Sequence, residues 1–192
     1  MKLIGSTTSP FVRRIRLYLL QLNVTDVELV NLDIFASEDR QLLTDNNPAQ
    51  KVPALVDGEL CIYDSRVIFR YLSQKYRQSA PTWPQENLLT LIDAASDSLV
   101  SLLLLKRSGL DISEDKFFFN LQHDRIEQVF SVLAKSVSDG GFENWGYPAI
   151  CLYCLLDWTE FRQIYDFSSF AELVEFQRVS ANYEGIAKTD PR

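Results

Sequence analysis

Ser9 stands directly before Pro10, and the pair reads as a helix N-cap followed by the first helical position, where the N–H that proline lacks would be orphaned anyway. A hydroxyl there sits at the positive end of a helix and can donate to an anion held beside it. Asp64-Ser65 is a second place of this kind: the Ser65 hydroxyl and the first backbone N–H groups of a helix make an anion pocket. Both positions also read as plain caps with no ligand. Thr7 and Thr8 are rival hydroxyls to Ser9, but they precede the helix start. The single histidine, His123, nearly excludes Ser-His-Asp chemistry and histidine-based metal sites, so no metal is expected. It lies among Gln122, Asp124 and Arg125, where a solvated or capping role is the default.

The elements that would position these groups alternate through residues 1–76. Lys2–Ile4 is a short strand, and Phe11, Ile15, Leu19 and Leu22 recur at helical spacing, giving a helix from about Pro10 to Leu22. Val27–Leu32 is a strand and Glu38–Thr44 a short helix ended by Asn46-Asn47-Pro48. Two apolar runs around Asp57-Gly58 predict a hairpin, and the next helix presents Val67, Ile68, Tyr71 and Leu72. The order is β-α-β-α-β-β-α. Residues 77–87, with Pro81, Trp83 and Pro84, read as a linker. Beyond it strand signals vanish, and amphipathic helices are expected over about Gln85–Arg107, Ser113–Ser136, Pro148–Arg162 and Ser169–Val179. Ser113 is the expected cap of the second, with Glu114 and Asp115 in its first turn.

Composition narrows the partners. The 192 residues carry a net charge of −7, and an acidic surface repels phosphate backbones, so no nucleic-acid partner is expected. The longest uncharged stretch, Asn144–Leu156, falls well short of the roughly 20 residues of a membrane helix. Only Leu3 and Ile4 are apolar before Gly5-Ser6-Thr7-Thr8, too little for a signal-peptide core. Three cysteines, an odd number, cannot all pair and suit a reducing cytoplasm. Cys151 and Cys154 have redox-motif spacing but lie in an apolar helical run and read as a buried pair, and Cys61 reads as core. Arg13, Arg14 and Arg16 read as a charged outer helix face, with steering of an anionic ligand as the alternative. Phe117-Phe118-Phe119 cannot all face one side of a helix, so at least one ring should point away from the core.

Three segments together carry a resemblance: Ser9-Pro10-Phe11, then Asn47-Pro48-Ala49-Gln50-Lys51-Val52-Pro53-Ala54-Leu55, then Tyr63-Asp64-Ser65-Arg66-Val67-Ile68. In this order and spacing the first half resembles a glutathione transferase, nearest to the bacterial serine-type enzymes, with some likeness to plant tau-class members. The second half fits the family in length and helix count. The resemblance implies an α/β thioredoxin-like domain over 1–76 and an all-α domain over 88–192. It also implies a cis Val52–Pro53 bond that leaves Val52 main-chain groups to pair with an extended peptide.

The same resemblance implies roles for the residues. Glutathione would be the co-substrate, with its γ-glutamyl carboxylate at Ser65 and its ammonium facing Asp64. Gln50 and Lys51 would meet its glycyl carboxylate, with Lys51 equally readable as a solvated surface lysine, while Phe11, Val52 and Pro53 line the peptide. Ser9 would stabilise the thiolate that attacks a small hydrophobic electrophile, as in detoxification, with no general base. No cysteine stands at the helix start, so disulfide-exchange chemistry is disfavoured. A homodimer is expected. The alternative is a non-catalytic, protein-binding regulator of the same fold, in the manner of stringent-starvation-type proteins. One departure stands out: Gly146-Tyr147-Pro148-Ala149 replaces the Ser/Thr-x-x-Asp box that usually opens the central helix of the second domain.

Overall fold

Leu3 and Ile4, 1% and 4% exposed, bury strand β1 (Lys2–Gly5) inside a four-stranded sheet ordered β2-β1-β3-β4. Strand β2 (Glu28–Asn31) pairs parallel to β1, while β3 (Ala54–Asp57) and β4 (Leu60–Tyr63) run antiparallel as a hairpin. Asp57 pairs with Leu60, so the hairpin turns on Gly58-Glu59, one residue later than the sequence pattern suggested. Gly58 supplies the positive φ of 63° that such a two-residue turn requires. Helices α1 (Pro10–Gln21), α2 (Ser37–Asn46) and α3 (Ser65–Lys75) complete the α/β unit. The Tyr18 hydroxyl shares a hydrogen bond with Ser73 at 2.9 Å, and the Tyr18 ring meets Phe69 edge-on at 4.9 Å, fixing α1 against α3.

The computed structural model describes residues 1–33 and 36–192 and divides into two units. The first is Met1–Ala80 joined by Tyr183–Arg192; the second is Pro81–Asn182. The final ten residues, which the sequence pattern assigned to the helical half, thus fold with the α/β unit and include a short 3-10 helix, Ala187–Thr189.

The second unit holds α4 (Trp83–Arg107), α5 (Phe117–Ser138), α6 (Tyr147–Arg162) and α7 (Ala171–Ser180). The start of α4 lies inside the expected linker because Thr82 and Gln85 form a reciprocal capping box. By length and composition α4 is apolar enough to cross a membrane, with 39% of its most apolar stretch buried inside the structure. Uncharged runs missed it because Asp93 and Asp97 interrupt the stretch. Ser113 does not cap α5: its backbone N–H and hydroxyl both donate to Asp111 Oδ1, and the helix begins only at Phe117. Helix α6 is buried on every side from Ala149 to Thr159, as a core helix is. Phe130 anchors the α5 side against Tyr165, Phe167 and Phe170, with ring centroids 5.3–6.1 Å apart.

Candidate functional site

Strand register decides which residues meet. Ile4 pairs with Ala54, so the chain leaving β1 toward Ser9 and the chain entering β3 through Val52–Pro53 lie at the same end of the sheet. Ala54 also pairs with Tyr63, which sets Asp64-Ser65 at that end. Gly5 marks the closest approach: a Cβ there would lie 2.4 Å from Val12 Cγ2 and 3.4 Å from Val52 Cβ. Only glycine fits. The sheet therefore gathers the starts of α1 and α3 around the Val52–Pro53 peptide, which is cis.

Ser9 is the N-cap of α1, half-buried, and its Oγ accepts from the Val12 N–H at 3.4 Å. Capping uses a lone pair and leaves the O–H to donate elsewhere. Thr8 is differently engaged, since its hydroxyl shares a hydrogen bond with Ser6 at 3.1 Å. Ser6 is a further hydroxyl of this loop that the sequence reading passed over. Thr7 donates its backbone N–H to Asn31 Oδ1 at 2.9 Å.

Asp64 caps α3, accepting at Oδ1 from Arg66 N–H at 2.8 Å and Val67 N–H at 3.3 Å. Two amides that the sequence reading offered to a ligand at Ser65 are thus taken by the Asp64 carboxylate. Asp64 has φ 72° and ψ 129°, a region sparsely populated by non-glycine residues and typical of functional sites. Ser65 is buried at 4% exposure, and Asp64 is exposed.

Gln50 and Lys51 are exposed on the loop that leads into β3, and Gln50 has φ 53°. The residue that shapes this loop is Asn47, 2% exposed, which sequence reasoning used as a helix stop and as the first residue of a family motif, with no role in holding the loop. Its Nδ2 donates to the Lys51 carbonyl at 2.7 Å, and its Oδ1 accepts from Ala49 N–H at 3.0 Å. The signal available was Asn-Pro just after a helix, a turn-forming pair. Phe11 is half-buried, with the Arg14 guanidinium 4.7 Å from its ring centroid.

The arginines are not an outer solvated face. Arg13 is 3% exposed and Arg14 is fully buried, because the Tyr183–Arg192 segment covers Arg13 and Arg14 packs on Phe11. Cys151 and Cys154 are buried in α6 and are not joined in a disulfide. Cys61 is half-buried, donates to the Asn46 carbonyl at 3.0 Å, and burial pushes its thiol pKa up, away from reactivity. His123 shares a hydrogen bond with the Ile112 carbonyl at 3.1 Å. Phe117 and Phe118 are exposed at 85% and 46%, while Phe119 is buried. Among the described residues no group of His, Cys, Asp and Glu has the spacing to hold a metal.

One cavity of about 530 Å³ lies within the helical unit, lined by Glu160, Ile164, Tyr165, Phe167 and Gln177 among others and by none of the sequence-predicted site residues. Beside it the Tyr165 hydroxyl donates to Glu127, and burial together with that carboxylate pushes the phenol pKa above its usual range.

A mixed sheet with one parallel pair and one hairpin, a cis-proline opening β3, and a following set of helices define a thioredoxin-like domain joined to an all-α domain. The family model "Glutathione S-transferase, N-terminal domain" matches residues 3–80. The GST-like protein YibF of Escherichia coli is 31% identical over 210 aligned positions, which cover 100% of this chain and 98% of that one. Glutathione S-transferase U17 of Arabidopsis thaliana is 26% identical across 85% of this chain and 75% of its own. Among solved structures, a glutathione S-transferase of Methylobacillus flagellatus with glutathione bound superposes with a TM-score of 0.86 at 22% identity, covering 100% and 99% of the two chains. The chain belongs to the glutathione transferase family.

Proposed function

We propose that the protein is a glutathione transferase in which Ser9 donates a hydrogen bond to the glutathione sulfur and holds it as a thiolate for addition to small hydrophobic electrophiles. The observation that supports this most is the Ser9 cap, whose hydroxyl accepts from Val12 and so keeps its proton for a ligand at the sheet end shared with Val52–Pro53 and Asp64-Ser65. The glutathione carried by the Methylobacillus flagellatus structure supports the choice of peptide.

The chemistry is modest in its demands. A free thiol titrates near about 8.5, so little thiolate exists at neutral pH. A hydrogen bond to a charged group contributes roughly 1.5–3 kcal/mol, and a pKa unit corresponds to about 1.4 kcal/mol. Ser9 plus the α1 dipole is therefore enough to bring the bound thiol below neutrality, with no general base. Val52 main-chain groups pair with the peptide, and Ser65 receives the γ-glutamyl carboxylate while Asp64 meets the ammonium. Phe11 and Pro53 line the peptide, and Gln50 and Lys51 meet its glycyl end. The protein acts as a homodimer in the cytoplasm, where three cysteines outside any disulfide are at home.

Calorimetry with glutathione tests the binding half. Affinity tighter than millimolar is expected, and no heat at several-millimolar glutathione would replace the enzyme with a protein-binding regulator of the same fold. Light scattering at micromolar protein should report a dimer; a monomer contradicts that part. Ser9→Ala should keep glutathione affinity and lose about tenfold to a hundredfold in turnover at neutral pH, equivalent to about 1.4–2.7 kcal/mol of barrier. The loss should fade as pH rises and hydroxide supplies the thiolate.

A further inference from the structure

The segment Tyr183–Arg192 leaves the helical unit and folds onto the α/β unit. Its contact with α1 is built from specific polar bonds. Arg13 donates from Nε to Thr189 Oγ1 at 3.2 Å and from Nη2 to the Ile186 carbonyl at 3.2 Å. Arg16 donates to the Lys188 carbonyl at 3.1 Å. Thr189 is held in turn, since its hydroxyl donates to the Gly185 carbonyl at 2.9 Å and its lone pairs remain for Arg13. Gly185, at φ 89°, permits the approach: a Cβ there would lie 2.6 Å from Leu20 Cδ1 on α1.

Arg13 is also tied to the backbone of Ser9. Its backbone N–H donates to the Ser9 carbonyl at 3.0 Å and so closes the first turn of α1. Four residues separate the two, which puts them on one face of the helix. A cation this near a helix N-terminus is disfavoured by the helix dipole, so helix stability alone does not call for it. Its acceptors on the returning segment supply the reason for a buried arginine at this place.

We propose that Tyr183–Arg192 is a clasp that holds the Arg13 side chain and thereby fixes the first turn of α1 and the aim of the Ser9 hydroxyl. Arg13 and Thr189 are positioning residues in this scheme. The proposal rests on the reading of Ser9 as donor to the glutathione sulfur.

The test follows the thiolate absorbance of protein-bound glutathione against pH in the wild type, Thr189→Val, Arg13→Gln and Arg13→Lys, with amide hydrogen exchange at Val12 and Arg13 measured alongside. Thr189→Val removes one acceptor and leaves the charges of Arg13, Arg14, Arg16, Lys188, Asp190, Arg192, Asp64 and Arg66 in place, so a shifted thiol reports the placement of the hydroxyl. It also serves if the Arg13 variants do not fold. Thr189→Val and Arg13→Gln should raise the bound-thiol pKa by about half to one unit, a change of about 3- to 10-fold in its ionisation constant. Glutathione affinity should stay within about twofold. Arg13→Lys keeps the charge without the planar fork and should behave like Arg13→Gln. An unshifted bound-thiol pKa in folded Thr189→Val overturns the proposal. If the wild type binds no glutathione, the functional reading fails separately and the clasp is judged by exchange alone. Faster exchange at Val12 and Arg13 in Thr189→Val then sustains it, and unchanged exchange overturns it.

Discussion

Helices α1 and α6 begin in opposite ways. α1 opens on Ser9, a polar side chain at the end of the sheet, with a cap bond that uses only part of its hydrogen-bonding capacity. α6 opens at Gly146 with no side-chain cap and sets twelve of its sixteen residues into the interior of the helical unit. α3 follows α1, since Asp64 caps it from a conformation with φ 72°. The difference separates two ways of fixing a helix. At α1 and α3 a polar side chain fixes the helix start; at α6 the burial of its sides holds the helix without one. A single polar cap contributes about 1 kcal/mol, while each large apolar side chain buried on α6 contributes more.

The sharpest way to break this comparison is to hollow out α6. Leu155→Ala, at a fully buried position, should cost about 2–5 kcal/mol in chemical denaturation. A cost under about 1 kcal/mol would mean that burial does not hold that helix. Asp64→Ala should come next, at about 1 kcal/mol of stability from the lost cap, together with weaker glutathione binding by calorimetry. A variant with full stability but weakened binding would show that Asp64 serves the ligand alone.

The smallest expected effect is electrostatic. Lys75 and the Tyr71 hydroxyl both donate to Asp57 and hold its carboxyl below the usual carboxylate range. A carboxyl depressed in the folded state stabilises above its unfolded value, near about 3.9, and that stabilisation is lost as pH falls through the folded value. The gap in unfolding midpoint between wild type and Asp57→Asn should therefore be present at neutral pH and close in acid. It should be small, because the pair is partly exposed. A gap that widens in acid would reverse the assigned sign.

Much of the α/β unit was legible because its signals are local. Ser9-Pro10 marks a helix start, and two apolar runs around Asp57-Gly58 mark a hairpin. The wrong inferences have two physical roots: a distant segment returns to cover a residue, or a close neighbour in the chain takes its hydrogen bonds. Arg13, Arg14 and Arg16 look like a solvated face until Tyr183–Arg192 returns to accept from Arg13 and Arg16. Ser113 looks like a cap until Asp111 takes both its donors. Asn47 looked like a helix stop and proved to hold the Lys51 loop from a buried position. Ser9, Val52 and Asp64 could each be picked out from motifs, but only the pairing of Ile4 and Tyr63 with Ala54 brings them to one end of the sheet.

The central claim is that the Ser9 hydroxyl sets the ionisation of a bound thiol. It is tested most directly by titrating the thiolate absorbance of protein-bound glutathione in wild type and Ser9→Ala, with Thr8→Ala as control. The account predicts a bound-thiol pKa below neutrality in wild type and Thr8→Ala, raised by about one to two units in Ser9→Ala. An unshifted pKa in Ser9→Ala, or a shift in Thr8→Ala instead, would contradict it.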